Sequence, residues 1–258
     1  MKMQAPLLCV LTMFFLSATV TAQDKISEKK PDTAHKMNFF KVNLTSIPLK
    51  NYSFQYERVL NKKFSFALGF RTMPNSTLPM QSTISKIIGD NPDAQEQIEN
   101  FKLSNTAITP ELRWYVGKKG YGRGFYLATF YRNVTYKGSG LKFTYENSLM
   151  VQNSIAMSGK LTGNTVGLLL GSQWSLGKNI SLDWWILGPH YGSGKGDFSG
   201  IASQPLTAEE QNDLRQELED FSIPLTKKTV SVNSNGANVK LDGPFGGVRA
   251  GLLIGIRF

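Results

Sequence analysis

Eight segments of the 258-residue chain alternate apolar and polar residues with period two, and this repeat limits the fold more than any other feature. A strand with such alternation shows an oily stripe on one face and a polar stripe on the other. Asn38 to Thr45 sets Phe40, Val42 and Leu44 against Lys41, Asn43 and Thr45. Asn51 to Leu60 opposes Tyr52, Phe54 and Tyr56 to Ser53, Gln55 and Glu57, and from Phe64 the residues Phe64, Phe66, Leu68 and Phe70 alternate with Ser65, Ala67, Gly69 and Arg71. Ala107 to Val116 carries Ile108, Leu112, Trp114 and Val116 on one side and Thr109, Glu111, Arg113 and Tyr115 on the other, with Pro110 costing a ladder bond or marking a bulge. Phe125 to Tyr136, Lys160 to Gln173, Asn179 to Leu187 and Gly247 to Phe258 complete the set. Each is about ten residues long, the length with which a tilted strand crosses a bilayer. The expectation is an all-β fold, an eight-stranded antiparallel up-and-down transmembrane β-barrel.

The connections fit that topology, because barrels of this kind have short turns on one side and long loops on the other. Asn61-Lys62, Gly117 to Arg123 and Ser175 to Lys178 are short and fall on one side. Met73 to Thr106, Lys137 to Gly159 and Gly188 to Gly246 are long and fall on the other, where Ser46 to Lys50 is the short exception. Two short helices are expected in the long extracellular loops. One starts at Asn91-Pro92 and carries Ile98 and Phe101; the other has a capping box of Thr207 and Glu210 ahead of Leu214, Leu218 and Phe221. Soluble sandwiches and lipocalin-like barrels also use alternating strands, but with the apolar set inside. Here the other set is rich in Gly, Ser, Thr and charged residues of both signs, which suits a tight polar interior. Tyr52, Trp114, Trp174 and Trp184 lie near strand ends, as interfacial girdle residues do.

The N-terminus reads as a secretory leader over residues 1–22: Met1-Lys2, an apolar run from Ala5 to Val20, and small residues Val20 and Ala22 before polar Gln23. Residues 23–36 (Gln23 to Lys36) read as a flexible periplasmic lead-in, in which His35 has no evident chemical partner, and 37–258 as the barrel. The single cysteine, Cys9, lies in the leader, so the exported chain has neither a disulfide framework nor Cys/His zinc spacing. The net charge is +10, and loss of Lys2 leaves +9. No Lys/Arg tract or RNA-binding motif accompanies it, so no nucleic-acid partner is expected, and anionic lipid headgroups are the better match.

The last strand, Val248, Ala250, Leu252, Ile254 and Ile256 leading to Phe258, resembles the closing strand of bacterial outer-membrane barrels. Leu112-Arg113-Trp114-Tyr115, Gly124-Phe125-Tyr126-Leu127, and Leu182-Asp183-Trp184-Trp185 followed by Gly188-Pro189-His190-Tyr191-Gly192 resemble an uncharacterised, domain-of-unknown-function family of small outer-membrane barrels of Bacteroidota. The resemblance implies outer-membrane localisation with both termini periplasmic, outer-membrane lipid and the assembly machinery as partners, and Phe258 as the residue that machinery reads. It implies no catalytic residue.

The inward stripe gathers Lys41, Glu57, Arg71, Glu111, Arg113, Arg132, Asp183, Arg249 and Arg257. Buried charges must pair, so a plugged lumen laced with ion pairs is expected, chiefly Glu57, Glu111 and Asp183 against the arginines. Six bases against three acids leave an excess that an anion, water or a headgroup would balance, and a small-solute or anion pore is the alternative. A second alternative is a lipid-acting hydrolase at the rim, where His190, Ser193 and Asp197 offer a Ser/His/Asp relay without a GxSxG elbow. No metal or cofactor is expected. Ten of the 19 acidic residues fall in 90–99 and 209–220, so a cation, a glycan or another envelope protein is a conceivable partner for those loops.

Overall fold

The computed structural model describes residues 36–89, 92–146, 152–220 and 224–258. The leader, His35, Asn91 and Phe221 lie outside them. The alternating segments form strands β1 (Asn38–Asn43), β2 (Tyr52–Val59), β3 (Phe64–Thr77), β4 (Lys102–Tyr115), β5 (Gly124–Glu146), β6 (Gln152–Leu176), β7 (Ile180–Ile201), β8 (Lys227–Asn233) and β9 (Gly236–Arg257). All pair antiparallel in the order β1-β2-β3-β4-β5-β6-β7-β9-β8, and β1 also pairs β9, Phe39 opposite Arg257 and Val42 opposite Ile254, so the hydrogen bonding runs in a ring. Asn38 and Phe258 close it by exchanging two backbone bonds of 3.0 Å. Among the described residues no helix is long and apolar enough to cross a membrane, which bears only on helical spans.

The count of eight strands is corrected to nine among the described residues: β8 pairs there with the distal part of β9 alone, through a two-residue turn at Ser234-Asn235. Two long connections are corrected as well. Most of 137–159 and much of 188–246 is strand, because β5, β6, β7 and β9 continue far beyond the apolar stripe as one projecting sheet. The stripe ends on one register line, Asn133 opposite Asn164, Asn164 opposite Ser193 and Ser193 opposite Pro244. Asn164 Oδ1 there accepts from Asn133 Nδ2 and Tyr131 Oη, both at 2.7 Å. Beyond it the same face presents Lys137, Lys160, Asp197 and Lys240 in adjacent register.

Pro110 costs ladder bonds without a bulge: the β4–β5 register is the same on either side of the gap at Thr109 and Pro110. Register shifts occur elsewhere, between Met73 and Ser76 of β3, between Ser139 and Leu141 of β5, and in β7, as a bulge, between Trp185 and Gly188. One extra residue reverses the alternation, turning Leu187 outward and Gly188 and His190 inward.

Among the described residues three α-helices lie outside the ring, α1 (Gln81–Ile88), α2 (Pro92–Asn100) and α3 (Ala208–Asp220). The capping box at α3 forms: Thr207 N donates to Glu210 Oε2 at 2.7 Å and Glu210 N to Thr207 Oγ1 at 3.3 Å. Leu206, Leu214 and Leu218 are buried with Tyr145, Ile155, Met157, Ala237 and Val239, so α3 covers the projecting sheet with its apolar side. Ile98 of α2 is buried too, and Gln97 bonds the Lys142 backbone as a strand would, accepting from its N–H at 2.9 Å and donating to its carbonyl. Leu214→Ala opens a cavity in this cluster and is expected to cost about 2–5 kcal/mol. Limited proteolysis should then cut the α3 segment faster while the ring persists; an unchanged cleavage rate would show that α3 is not held by this contact.

Candidate functional site

Burial in the ring is inverted relative to a soluble protein. Lys41, Glu57, Glu111, Arg113 and Asp183 are at most 1 % exposed, while Phe54, Phe66, Phe70, Leu112, Trp114, Leu127, Leu168 and Trp184 are each at least 36 % exposed. The two sets are neighbours along the same strands, so period-two geometry alone sends one inward and the other outward.

The charged set meets across the ring. Lys41 Nζ of β1 bonds the Glu57 carboxylate of β2 and reaches Asp183 Oδ2 of β7 at 2.7 Å. Arg113 of β4 holds Glu111 Oε1 at 2.5 Å, Asp183 Oδ2 at 2.7 Å and Glu57 Oε2 at 3.1 Å, and Arg249 of β9 holds Glu111 Oε2 at 3.2 Å. Three cations thus face three carboxylates in a neutral cluster spanning five strands. Hydroxyls and amides add further bonds to the cluster. Glu57 Oε1 accepts from Tyr115 Oη at 2.7 Å and Ser65 Oγ at 2.5 Å; Asp183 Oδ1 accepts from Tyr126 Oη at 2.7 Å. Gln173 Oε1 accepts from Lys41 at 2.5 Å, and Gln55 Oε1 from Arg113 at 2.9 Å. The Arg113 guanidinium lies 4.4 Å from the Tyr126 ring centre, and Gly171 makes room for that tyrosine, since a Cβ there would fall 2.3 Å from its hydroxyl. Gln55, Tyr115 and Tyr126 each share the parity of an inward charge on their own strand, which is the signal that points to them; β6 carries no such charge to point to Gln173.

Toward the chain termini the interior is stopped by Phe39, Val59 and the turn after β4. Gly122 (φ +75°) enters so closely that a Cβ would lie 2.8 Å from the Phe39 ring, and Arg257 Nη2 donates to Tyr121 O at 3.1 Å. Arg257 therefore belongs to this closure and not to the carboxylate cluster. On the other side, toward the 3-10 helix Leu44–Leu49 that joins β1 to β2, a cavity of about 290 Å³ holds Arg71, Arg132 and the free edge of Arg249. So the nine charges divide: six in the cluster, Arg257 at one end, Arg71 and Arg132 in the cavity.

The relay of His190, Ser193 and Asp197 is not assembled. Beyond the bulge β7 keeps one register, so His190 faces inward and lines the cavity while Ser193 and Asp197 face outward and are exposed. Asp197 Oδ1 instead accepts from Asn238 Nδ2 at 2.8 Å. Alternation alone separates His190 from Ser193 and Asp197; the bulge decides only that His190 is the one turned inward, and it leaves no mark in the alternation of the sequence. Among the described residues no group of three or more His, Cys, Asp or Glu side chains is placed to hold a metal ion. Compared with models of known families, with curated proteins and with solved structures, the chain matches none.

Asp183→Asn removes the carboxylate shared by Lys41 and Arg113 and leaves a buried positive charge uncompensated. The expected loss is about 3–5 kcal/mol, read as a lower urea midpoint. An unchanged midpoint would mean that water reaches the cluster and screens it.

Proposed function

We propose that this chain is an outer-membrane β-barrel with an eight-stranded wall of β1–β7 and β9, sealed inside and presenting a folded sheet at the cell surface. The observation that carries this reading is the inversion of burial: fully enclosed ion pairs within a sheet whose outer side is a band of Phe, Leu, Ile and Trp. In water such a band would expose far more contiguous apolar surface than a soluble monomer shows, whereas hydrocarbon is its natural solvent. The ring-like pairing supports the reading too, because a closed sheet has no unpaired edge to place in lipid. The band has a fitting height. From Ile180 to Tyr191 a strand rises about 36 Å, or about 27 Å along the normal at a 40° tilt, against roughly 25 Å for known barrels. Trp174 and Trp184, stacked at 6.4 Å, and Trp114 lie on its outer face.

In this reading the leader directs export, both termini are periplasmic, and Phe258 at the end of the closing strand is read by the assembly machinery. Membership in the Bacteroidota family of small barrels is part of the same proposal and rests on the strand segments quoted above. A structural or surface-interaction role follows for the molecule. The neutral cluster and the Gly122 turn fill the interior at two levels, so the barrel is a plugged scaffold and not a pore. Its projecting sheet carries the acidic face of α3, Glu209, Glu210, Glu217 and Glu219, where an envelope protein or glycan would dock.

The purified chain is expected to need detergent for solubility and to give no steady conductance steps in planar bilayers. A monomer that stays soluble without detergent would overturn the membrane assignment, and discrete steps from wild-type protein would overturn the plug.

A further inference from the structure

The cavity beside the ion cluster has the chemistry of an anion site. No Asp or Glu lines it, while Arg71, Arg132, Arg249 and His190 do. Arg132 is 7 % exposed and has no ion pair or side-chain hydrogen bond among the described residues, and Arg71 has only Tyr136 Oη at 3.2 Å. Arg71 Nε, Arg249 Nε, Trp185 Nε1 and His190 Nδ1 are buried without a partner among the described residues. Such groups are costly to enclose unless something else satisfies them.

Charge accounting gives the sign. Glu57, Glu111 and Asp183 are all engaged with Lys41, Arg113 and Arg249, so adding Arg71 and Arg132 gives five cations against three carboxylates, an excess of +2. Two of the donors are also held in place. The Arg249 guanidinium lies 4.3 Å from the Phe130 ring centre and 4.4 Å from that of Trp185, and Phe130 meets His190 edge-on at 5.9 Å. Fixed guanidinium groups converging on a small polar space are the usual means of holding phosphate oxygens. At about 30 Å³ per water, 290 Å³ accommodates an oxyanion with some of its hydration.

A second feature adjoins this cavity. On the outer face a groove of about 740 Å³ runs past Leu112, Tyr131, Leu168, Pro189 and Tyr191, yet it is also lined by the inward-facing Glu111, Phe130 and His190. The wall is weakened there on both sides of the β5–β6 pair. Ladder pairs are missing at Thr109 and Pro110 between β4 and β5, and at Leu168 and Leu169 between β6 and β7. His190 lines both spaces.

We propose that Arg71, Arg132, Arg249 and His190 form a binding site for a phosphate-class oxyanion, supplied free from solution or as the headgroup of a lipid whose chain lies in the outer groove. The lipid source rests on the membrane assignment proposed above; the anion site does not. The full chain, purified in neutral detergent and phosphate-free buffer, is titrated with inorganic phosphate by calorimetry. In parallel it is reconstituted with phosphatidylglycerol or phosphatidylcholine, re-extracted, and weighed by native mass spectrometry. Saturable phosphate binding that Arg132→Gln and Arg71→Gln each weaken about tenfold, the loss of roughly one charge-assisted hydrogen bond, supports a free anion. Retention of phosphatidylglycerol or phosphatidylcholine by the wild type, lost in the variants while phosphate stays silent, supports a headgroup. Arg71 is only half-buried, so its variant keeps the test alive should Arg132→Gln not fold. Silence of the wild type toward both probes, or binding that neither substitution changes, overturns the site. A chain that binds phosphate yet needs no detergent would refute the membrane assignment and leave this site standing.

Discussion

A charge sealed away from water must find its counter-charge at once, and the interior of this closed sheet leaves no freedom in where that counter-charge stands. Lys41, Glu57, Glu111, Arg113, Asp183 and Arg249 come from five strands scattered over more than two hundred residues of sequence. They meet only if every intervening strand keeps its register. A slip of one residue anywhere in the wall would throw a charge to the outside and an aromatic ring to the inside. The cluster therefore acts as a lock on register as well as a filling. Removing one member costs more than the bond it makes, because its partners stay buried.

The rest of the molecule follows from where that lock sits. Because the interior is taken up by ion pairs and by Tyr115, Tyr126, Phe130, Leu169, Trp185 and Leu253 packed beside them, the apolar residues of alternate positions have only the outside to occupy. The outward band ends sharply at the line of Asn133, Asn164 and Ser193, and there the sheet changes character. Below that line its core is polar and its surface oily. Above it the order is restored, with Leu214 and Leu218 of α3 covering Ile155 and Met157 and the acidic side chains facing out. One sheet thus carries two opposite arrangements, with the switch written in which face carries the apolar residues.

Much of this was legible in the alternation. The strand directions, the inward parity of all nine charges and the capping box at Thr207 and Glu210 are all readable from residue spacing. The extensions of β5, β6, β7 and β9 were not, because above the switch line Gly, Ser and Lys interrupt the stripe and the segments look like loops. β8 is short, and its stripe of Val230 and Val232 spans too few residues to stand out as a membrane-length strand. The bulge at Ile186 is invisible because the extra residue is itself apolar, and on it depends the inward turn of His190. Nor could spacing separate the six clustered charges from Arg71, Arg132 and Arg257, since which carboxylate a cation reaches depends on position along the axis, not on parity.

The two adjacent tryptophans of β7 offer the most direct measurement. Trp184 is 46 % exposed on the outer face and Trp185 is 6 % exposed beside Arg249, though a single peptide bond separates them. Two variants, each retaining one of this pair with the other tryptophans replaced by phenylalanine, would be reconstituted in bilayers whose acyl chains carry bromine. The account predicts strong quenching of Trp184 and almost none of Trp185. Equal quenching of both, or quenching of Trp185 alone, would contradict an outward oily face around a sealed ionic interior.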